Sequence, residues 1–333
     1  MYGYFTADRV GISTGGGIVT KNELEALASL GQTILWNPES KNDPFYTEKS
    51  IVHNKIPDLK LAHFYSGTFP DTVKYLKSKG TKISYTAAAH DIDLSRAEFE
   101  KLNIPYDLPH ITNPELWEKY LQCYLMADVV ICPSTHSKEV MERFGCKNVK
   151  VVPHGCHIMK AKPYPKTFTI GYLGQTGPDK GLIYLIEAWS KLNYKDAIFN
   201  IAGSQSMTLL PWIRHFKYGN YNIMGYVKNI EDFYNSISIY VQPSVTEGFG
   251  IEVLESMATG RPVVASDGAG AADCIGSCGL ITPKKDVVAL MQAIDTLKNN
   301  KVDKIQPCQL QADKYTWDKI KQQYTNVWKE LLV

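Results

Sequence analysis

Residues 243–266 read PSVTEGFGIEVLESMATGRPVVAS. The stretch follows an apolar run, ISIYVQPS at 237–244, and closes on another, RPVVAS at 261–266. Between them GIEVLESMATG, 250–260, has helical patterning. Strand, glycine-bearing turn, helix and strand in that order is the unit of a parallel sheet covered by helices. In the turn, Gly248, Phe249 and Gly250 precede a helix that begins near Ile251. Glycines let the backbone approach a ligand closely, and the helix start offers unpaired N–H groups and a positive dipole end, which suit an anion. Glu247 and Glu255 flank that position with seven residues between them. From about one turn inside the helix, Glu255 can accept two hydrogen bonds from adjacent hydroxyls such as a ribose diol. Glu247, on the other side, suits a sugar hydroxyl. Either glutamate alone could simply answer the helix dipole.

The same alternation runs outward in both directions. Earlier strand candidates are QTILW (32–36), LKLAHFY (59–65), KISYTAA (82–88), DVVICPS (128–134) and VKVVPHG (149–155). Helical patterns separate them at 21–30, 72–80, 113–126 and 136–145. KAKPYPKT, 160–167, is rich in Pro and Lys and reads as a linker. After it come strands at 168–174, 197–203, 221–227, 237–244 and 261–266, with helices at 181–192, 207–217, 229–236, 250–260 and 287–298. The expected class is α/β, with two doubly wound domains. The N-terminal one covers 1–160, the linker 161–167, the C-terminal one 168–313, and a last amphipathic helix occupies 314–333. Ligands of open α/β sheets sit beyond the carboxyl ends of the strands, so the loops after strands are where chemistry is expected.

Composition agrees with a globular chain of about two domains. The 333 residues are 44% hydrophobic and 21% charged, with net charge +2. That excludes a disordered chain and gives no electrostatic footprint for nucleic acid. The seven cysteines, Cys123, Cys132, Cys146, Cys156, Cys274, Cys278 and Cys308, show no zinc spacing and read as reduced and buried. The N-terminus lacks a signal-peptide pattern, and no stretch is apolar enough to span a membrane. The expectation is a soluble, cytoplasmic protein.

The segment resembles the E-x7-E motif of retaining GT-B glycosyltransferases, glycosyltransferase family 4 in particular. Other pieces resemble that family in order and spacing: GGG at 15–17, TAAAHD at 86–91, CPSTHSKEVMERFG at 132–145, VVPHG at 151–155, YLGQTGPDKGLIYLIEAW at 172–189, and the terminal TWDKIKQQYTNVWKELL. The resemblance implies two Rossmann-like domains, an acceptor domain and a nucleotide-sugar donor domain, with the last helix returning to the first. It implies that Glu247 contacts the donor sugar and Glu255 the ribose. Gly248, Phe249, Gly250 and Ile251 would cradle the diphosphate with Gly174, Gln175 and Lys180. His90 would help shape the reaction centre, with Asp91 near sugar or acceptor, and Gly16 and Gly17 would lie against phosphate or acceptor. The base would be read near Tyr226 and Val227.

The chain departs from the family pattern at several points. Gln175 stands where an arginine of the phosphate loop is usual, so one of two phosphate cations is missing. His154, His157 and Asp273 also replace usual residues. Asp91-Ile-Asp93 matches the D-x-D pattern of metal-dependent transferases of a different fold, but the GT-B resemblance requires neither metal nor cofactor; the nucleotide sugar is a substrate. The implied reaction is transfer of a sugar to an acceptor hydroxyl with retention, UDP being favoured over GDP, by front-face displacement. Acceptor glycans, lipid-linked sugars and other hydroxyl compounds fit the implied chemistry. Lys74, Lys77, Lys79 and Lys82 suggest weak membrane-surface association, or simply a solvated face. Two alternatives stay open: a GT-B-like epimerase or phosphorylase, which needs no acceptor, and a non-catalytic sugar-nucleotide binding protein, which Gln175 keeps in view.

Overall fold

The computed structural model describes residues 1–6, 15–37, 51, 55–65, 69–104, 114–203, 220–300 and 303–333. The chain runs β1 (Tyr2–Thr6), α1 (Gly15–Ala28), β2 (Thr33–Trp36), β3 (Leu61–Tyr65), α2 (Pro70–Ser78), β4 (Lys82–Thr86), α3 (Ile92–Lys101), α4 (Pro114–Met126), β5 (Val129–Cys132), α5 (Thr135–Arg143) and β6 (Val149–Val151). It continues β7 (Phe168–Leu173), α6 (Leu182–Leu192), β8 (Ala197–Ala202), β9 (Tyr221–Gly225), α7 (Ile230–Asn235), β10 (Ile239–Gln242), α8 (Ile251–Ala258), β11 (Val263–Ser266), β12 (Gly279–Thr282), α9 (Val287–Asn299), α10 (Ile305–Asp313) and α11 (Trp317–Leu332). The helix expected at 207–217 lies outside the described residues.

Two compact units result. The first holds Met1–Ala89, Tyr106–Gly155 and Trp317–Val333; the second holds His90–Pro105 and Cys156–Thr316. Each has a six-stranded sheet, ordered β2-β1-β3-β4-β5-β6 in the first and β12-β11-β10-β7-β8-β9 in the second. Every pairing is parallel. Parallel strands need crossover helices, which cover both faces and make the strands continuously apolar. Hence β5, β10 and β11 are buried at every position.

In the first unit Phe5 stacks on Phe64 and Trp36, at ring separations of 4.6 and 4.4 Å. The terminal helix α11 packs on α1. Trp328 is fully buried there, and its indole N–H donates to Ser84 Oγ at 2.9 Å. Beside it Glu23 of α1 is buried and accepts from Tyr4 OH at 2.7 Å and Thr86 Oγ1 at 2.8 Å, with His63 Nε2 3.2 Å away. Burial pushes the Glu23 carboxyl up, but the His63 imidazole and these hydrogen bonds outweigh it and hold it below the usual range. The glycines of 15–17 form the first turn of α1, and the Thr20 hydroxyl lies 3.0 Å from the carbonyls of Gly16 and Gly17.

In the second unit the order of β9-β8-β7-β10-β11-β12 reverses direction between β7 and β10. At such a switch point the loops leaving the two adjacent strands diverge and open a crevice. Lys180 follows β7, and Glu247 follows β10. Residues 160–164 are fastened to this unit. Arg261, fully buried, donates to the Lys162 carbonyl at 2.7 Å, and its guanidinium lies 4.8 Å from the Tyr164 ring. None of the seven cysteines is in a disulfide, and all are buried. Among the described residues no helix is long and apolar enough to cross a membrane. The basic stretch around α2 is partly neutralised: Lys77 pairs with Asp128 at 3.1 Å and Lys74 with Asp71 at 3.7 Å.

Candidate active site

Two backbone constraints hold the loops at the switch point together. After β7, Pro178–Lys180 forms a 3-10 turn that ends at Gly181, with φ +67. A Cβ on Gly181 would stand 2.0 Å from the Pro243 carbonyl oxygen. No side chain fits, so this turn lies directly against the end of β10. The Asp179 carbonyl then accepts from Val245 N–H at 2.8 Å and Thr246 N–H at 3.3 Å. These bonds bring Lys180 to Glu247.

Lys180 Nζ donates to Glu247 Oε1 at 2.6 Å. The other carboxylate oxygen, Oε2, accepts from Ser244 Oγ and Gln242 Nε2, both at 2.8 Å. Burial opposes charge on each partner. On Glu247 the Lys180 ammonium, the hydrogen bonds from Lys180 and Ser244, and the His90 imidazole prevail and hold the carboxyl low. On Lys180 the carboxylates of Glu247 and Asp179 prevail and hold the ammonium high. The pair is therefore ionised at neutral pH.

The backbone from Glu247 to Phe249 is clipped to the turn 268–271. Glu247 N–H donates to the Gly268 carbonyl at 2.9 Å, and the Phe249 carbonyl accepts from Ala271 N–H at 2.7 Å. Phe249 is buried in the core. Gly250, at φ +89, is the residue before α8, and no side chain caps that helix. Its first N–H groups meet the requirement for an anion cradle beside the Lys180 ammonium. One turn on, Glu255 accepts from Tyr234 OH at 2.9 Å; burial pushes its carboxyl up, against that hydrogen bond.

The remaining expected residues are placed as follows. Gly174 directly follows β7, with its N–H donating to the Ala202 carbonyl at 3.1 Å, and Gln175 is exposed with its carbonyl accepting from Tyr172 OH. His90 is half-buried in the second unit. Asp91 caps α3, its Oδ1 accepting from Asp93 and Leu94 N–H at 3.1 Å, and its own N–H donates to Thr246 Oγ1 at 2.7 Å. Asp93 is exposed and faces Arg96 at 3.6 Å. Tyr226 is 72% exposed after β9, while Val227 packs on the core. Gly16 and Gly17 open α1 in the first unit. Sequence reasoning missed Gln242, Ser244 and Thr246, and also Glu252. Glu252 lies between the two expected glutamates; burial and then the carboxylates of Glu247 and Glu255 push its carboxyl up to about 8. The clue is the polar run Gln242-Pro243-Ser244 at the end of an apolar strand.

Comparison with known proteins finds a family match over the segment that holds Lys180, Glu247 and Glu255. Residues 167–300 match the family of glycosyl transferases, group 1. The capsular polysaccharide biosynthesis glycosyltransferase CapM of Staphylococcus aureus is 28% identical over 141 residues, 40% of this chain and 37% of that protein. The O-antigen chain mannosyltransferase B of Escherichia coli is 27% identical over 172 residues, 48% of this chain and 45% of that protein. The chain thus spans less than half the length of these curated relatives. Among solved structures, Anabaena HepE, in complex with UDP and glucose, aligns over 99% of this chain and 100% of its own at 16% identity, with a TM-score of 0.73. That likeness shows the fold, GT-B with two Rossmann-like domains. The α/β class and GT-B architecture expected from sequence are the ones observed.

Proposed function

We propose that this chain is a retaining glycosyltransferase that moves a sugar from a nucleotide donor, UDP in preference to GDP, to an acceptor hydroxyl in the cytoplasm without a bound metal. The observation that carries the reading is the 2.6 Å contact of Lys180 with Glu247 beside the glycine turn 248–250. An ammonium has three N–H groups, so Lys180 can hold Glu247 and a diphosphate oxygen together. The backbone of Gly248, Phe249, Gly250 and Ile251 would take the diphosphate, with Gly174 and Gln175 facing it. Glu255 would hold the ribose diol, Glu247 a donor-sugar hydroxyl, and Tyr226 and Val227 the base. His90 and Asp91 would adjoin the sugar, and Gly16 and Gly17 would lie against phosphate or acceptor.

In the transfer step the bond from the anomeric carbon to the leaving phosphate oxygen breaks. The acceptor oxygen bonds to the same face of that carbon, and the acceptor proton passes to the leaving phosphate. Lys180 and the α8 N-terminus stabilise the charge that grows on the diphosphate. The UDP held by HepE supports the base preference. The names of the two bacterial relatives, a capsular polysaccharide biosynthesis glycosyltransferase and an O-antigen chain mannosyltransferase, support a sugar hydroxyl as acceptor and put mannose among the donor sugars to be tried.

A panel of nucleoside diphosphates and their sugars, run with EDTA, tests this by thermal shift. A ligand at 100 times its Kd stabilises by about 2.7 kcal/mol. UDP compounds should shift Tm most, and proton NMR of the transfer product should show the donor's anomeric configuration kept. No shift with any nucleotide, a shift abolished by EDTA, or an inverted product would each overturn part of the reading.

A further inference from the structure

Helix α3 buries a polar face. Asp91, Ser95 and Glu98 recur at helical spacing on one side, and they are 5%, 0% and 1% exposed. A carboxylate taken out of water needs partners, and Glu98 has two. Tyr184 OH donates to Oε2 at 2.6 Å, and the Lys285 ammonium pairs with Oε1. Lys101, one turn further along α3, donates to the same Tyr184 hydroxyl at 2.8 Å and lies 5.0 Å from the ring centroid. At the other end of the helix, the Asp91 N–H donates to Thr246 Oγ1.

These partners sit on the segments that make the candidate site. Tyr184 is in the first turn of α6, directly after Lys180 and Gly181. Thr246 precedes Glu247. Lys285 lies in the loop between β12 and α9 at φ +65, a backbone region that non-glycine residues seldom adopt. So α3 is pinned at both ends to the rest of the second unit, and His90 is the residue just before its cap. The 2.7 Å bond from Asp91 N–H to Thr246 Oγ1 therefore leaves His90 and Glu247 each one residue from a shared hydrogen bond, and the imidazole acts to lower the Glu247 carboxyl.

We propose that Glu98, through Tyr184 and Lys285, is a positioning residue: it fixes α3 so that the His90 imidazole is held against Glu247 during transfer. The inference rests on the transferase reading. Its signature is an effect that depends on His90. Glu98→Ala should lower kcat by about 10- to 100-fold, the scale of a misplaced group, with donor KM changed by less than about twofold. In a His90→Ala background the same substitution should add less than about twofold. Glu98→Gln keeps an acceptor for Tyr184 and should recover much of the rate. An equal loss with and without His90, or a change in KM alone, overturns the proposal. If Glu98→Ala gives no cooperative melt, Tyr184→Phe and Lys285→Gln are put through the same cycle.

A readout independent of turnover separates this inference from the transferase reading. The His90 imidazole NMR signals should move in Glu98→Ala and stay in place in Glu100→Ala, a change at an exposed position of the same helix. Unmoved signals in Glu98→Ala overturn the positioning role even if transfer is confirmed. Moved signals with no donor turned over by the wild-type protein would leave the positioning intact and sink the transferase reading.

Discussion

Lys180 Nζ and Glu247 Oε1 lie 2.6 Å apart, and they come from loops that leave the two adjacent strands at the sheet's switch point. Their charges are interdependent. Lys180→Met would leave a largely buried carboxylate without its cation. It should cost about 2–3 kcal/mol in urea unfolding, below the 3–5 kcal/mol of a fully buried pair because 21% of the Lys180 side chain is exposed. Adding Glu247→Gln should restore part of that loss, since the pair shares one interaction. Strict additivity of the two substitutions would show that they do not act on each other.

Glu252 sets a pH dependence. Its carboxyl is pushed up to about 8 by burial and by Glu247 and Glu255. The folded protein therefore holds a proton between the ordinary carboxyl range and pH 8 that the unfolded chain releases. Stability from this group is full below about pH 4.3 and is lost as pH rises through 8. Glu252→Gln should leave Tm unchanged near pH 4 and raise it by roughly 2–4 °C at pH 8.5. Thermal unfolding across pH checks this; a Tm difference that is the same at both ends contradicts it.

Gly181 and Gly250 both have positive φ, but only one is sterically closed. A Cβ at Gly181 would meet the Pro243 carbonyl at 2.0 Å, whereas at Gly250 the nearest atom stands at 3.6 Å, on Glu247. Gly250→Ala should cost about 1–2 kcal/mol of left-handed strain alone. Gly181→Ala must also push β10 away from Lys180, so it should cost clearly more and weaken nucleotide binding. Chemical denaturation of the two variants compares them directly, and equal losses would count against the packing described here.

The strands from β7 to β11 are legible in the sequence because each is a short apolar run bounded by glycine, proline or polar residues. The unpredicted β1 is short and carries Gly3, and β12 follows the glycine-rich 267–273 stretch that reads as a turn. Helix α3 escapes for a physical reason: Ser95 and Glu98 occupy buried positions that apolar residues normally mark. At the candidate site, Glu247 and Glu255 stand out by their spacing around a glycine turn. Gln242 and Ser244 do not, since they serve Glu247 only once β10 and its loop are folded. Glu252 looks like an ordinary first-turn glutamate, and its environment exists only when three carboxylates converge.

On the proposed reading, Glu247 serves transfer rather than nucleotide capture. The most direct measurement compares wild type and Glu247→Ala for nucleoside diphosphate affinity by calorimetry and for sugar transfer by product formation, in the same buffer with EDTA. Affinity should stay within about threefold, under 1 kcal/mol, and the transfer rate should fall by about 100-fold or more, the scale of one lost transition-state contact. Parallel loss of affinity and transfer would contradict it.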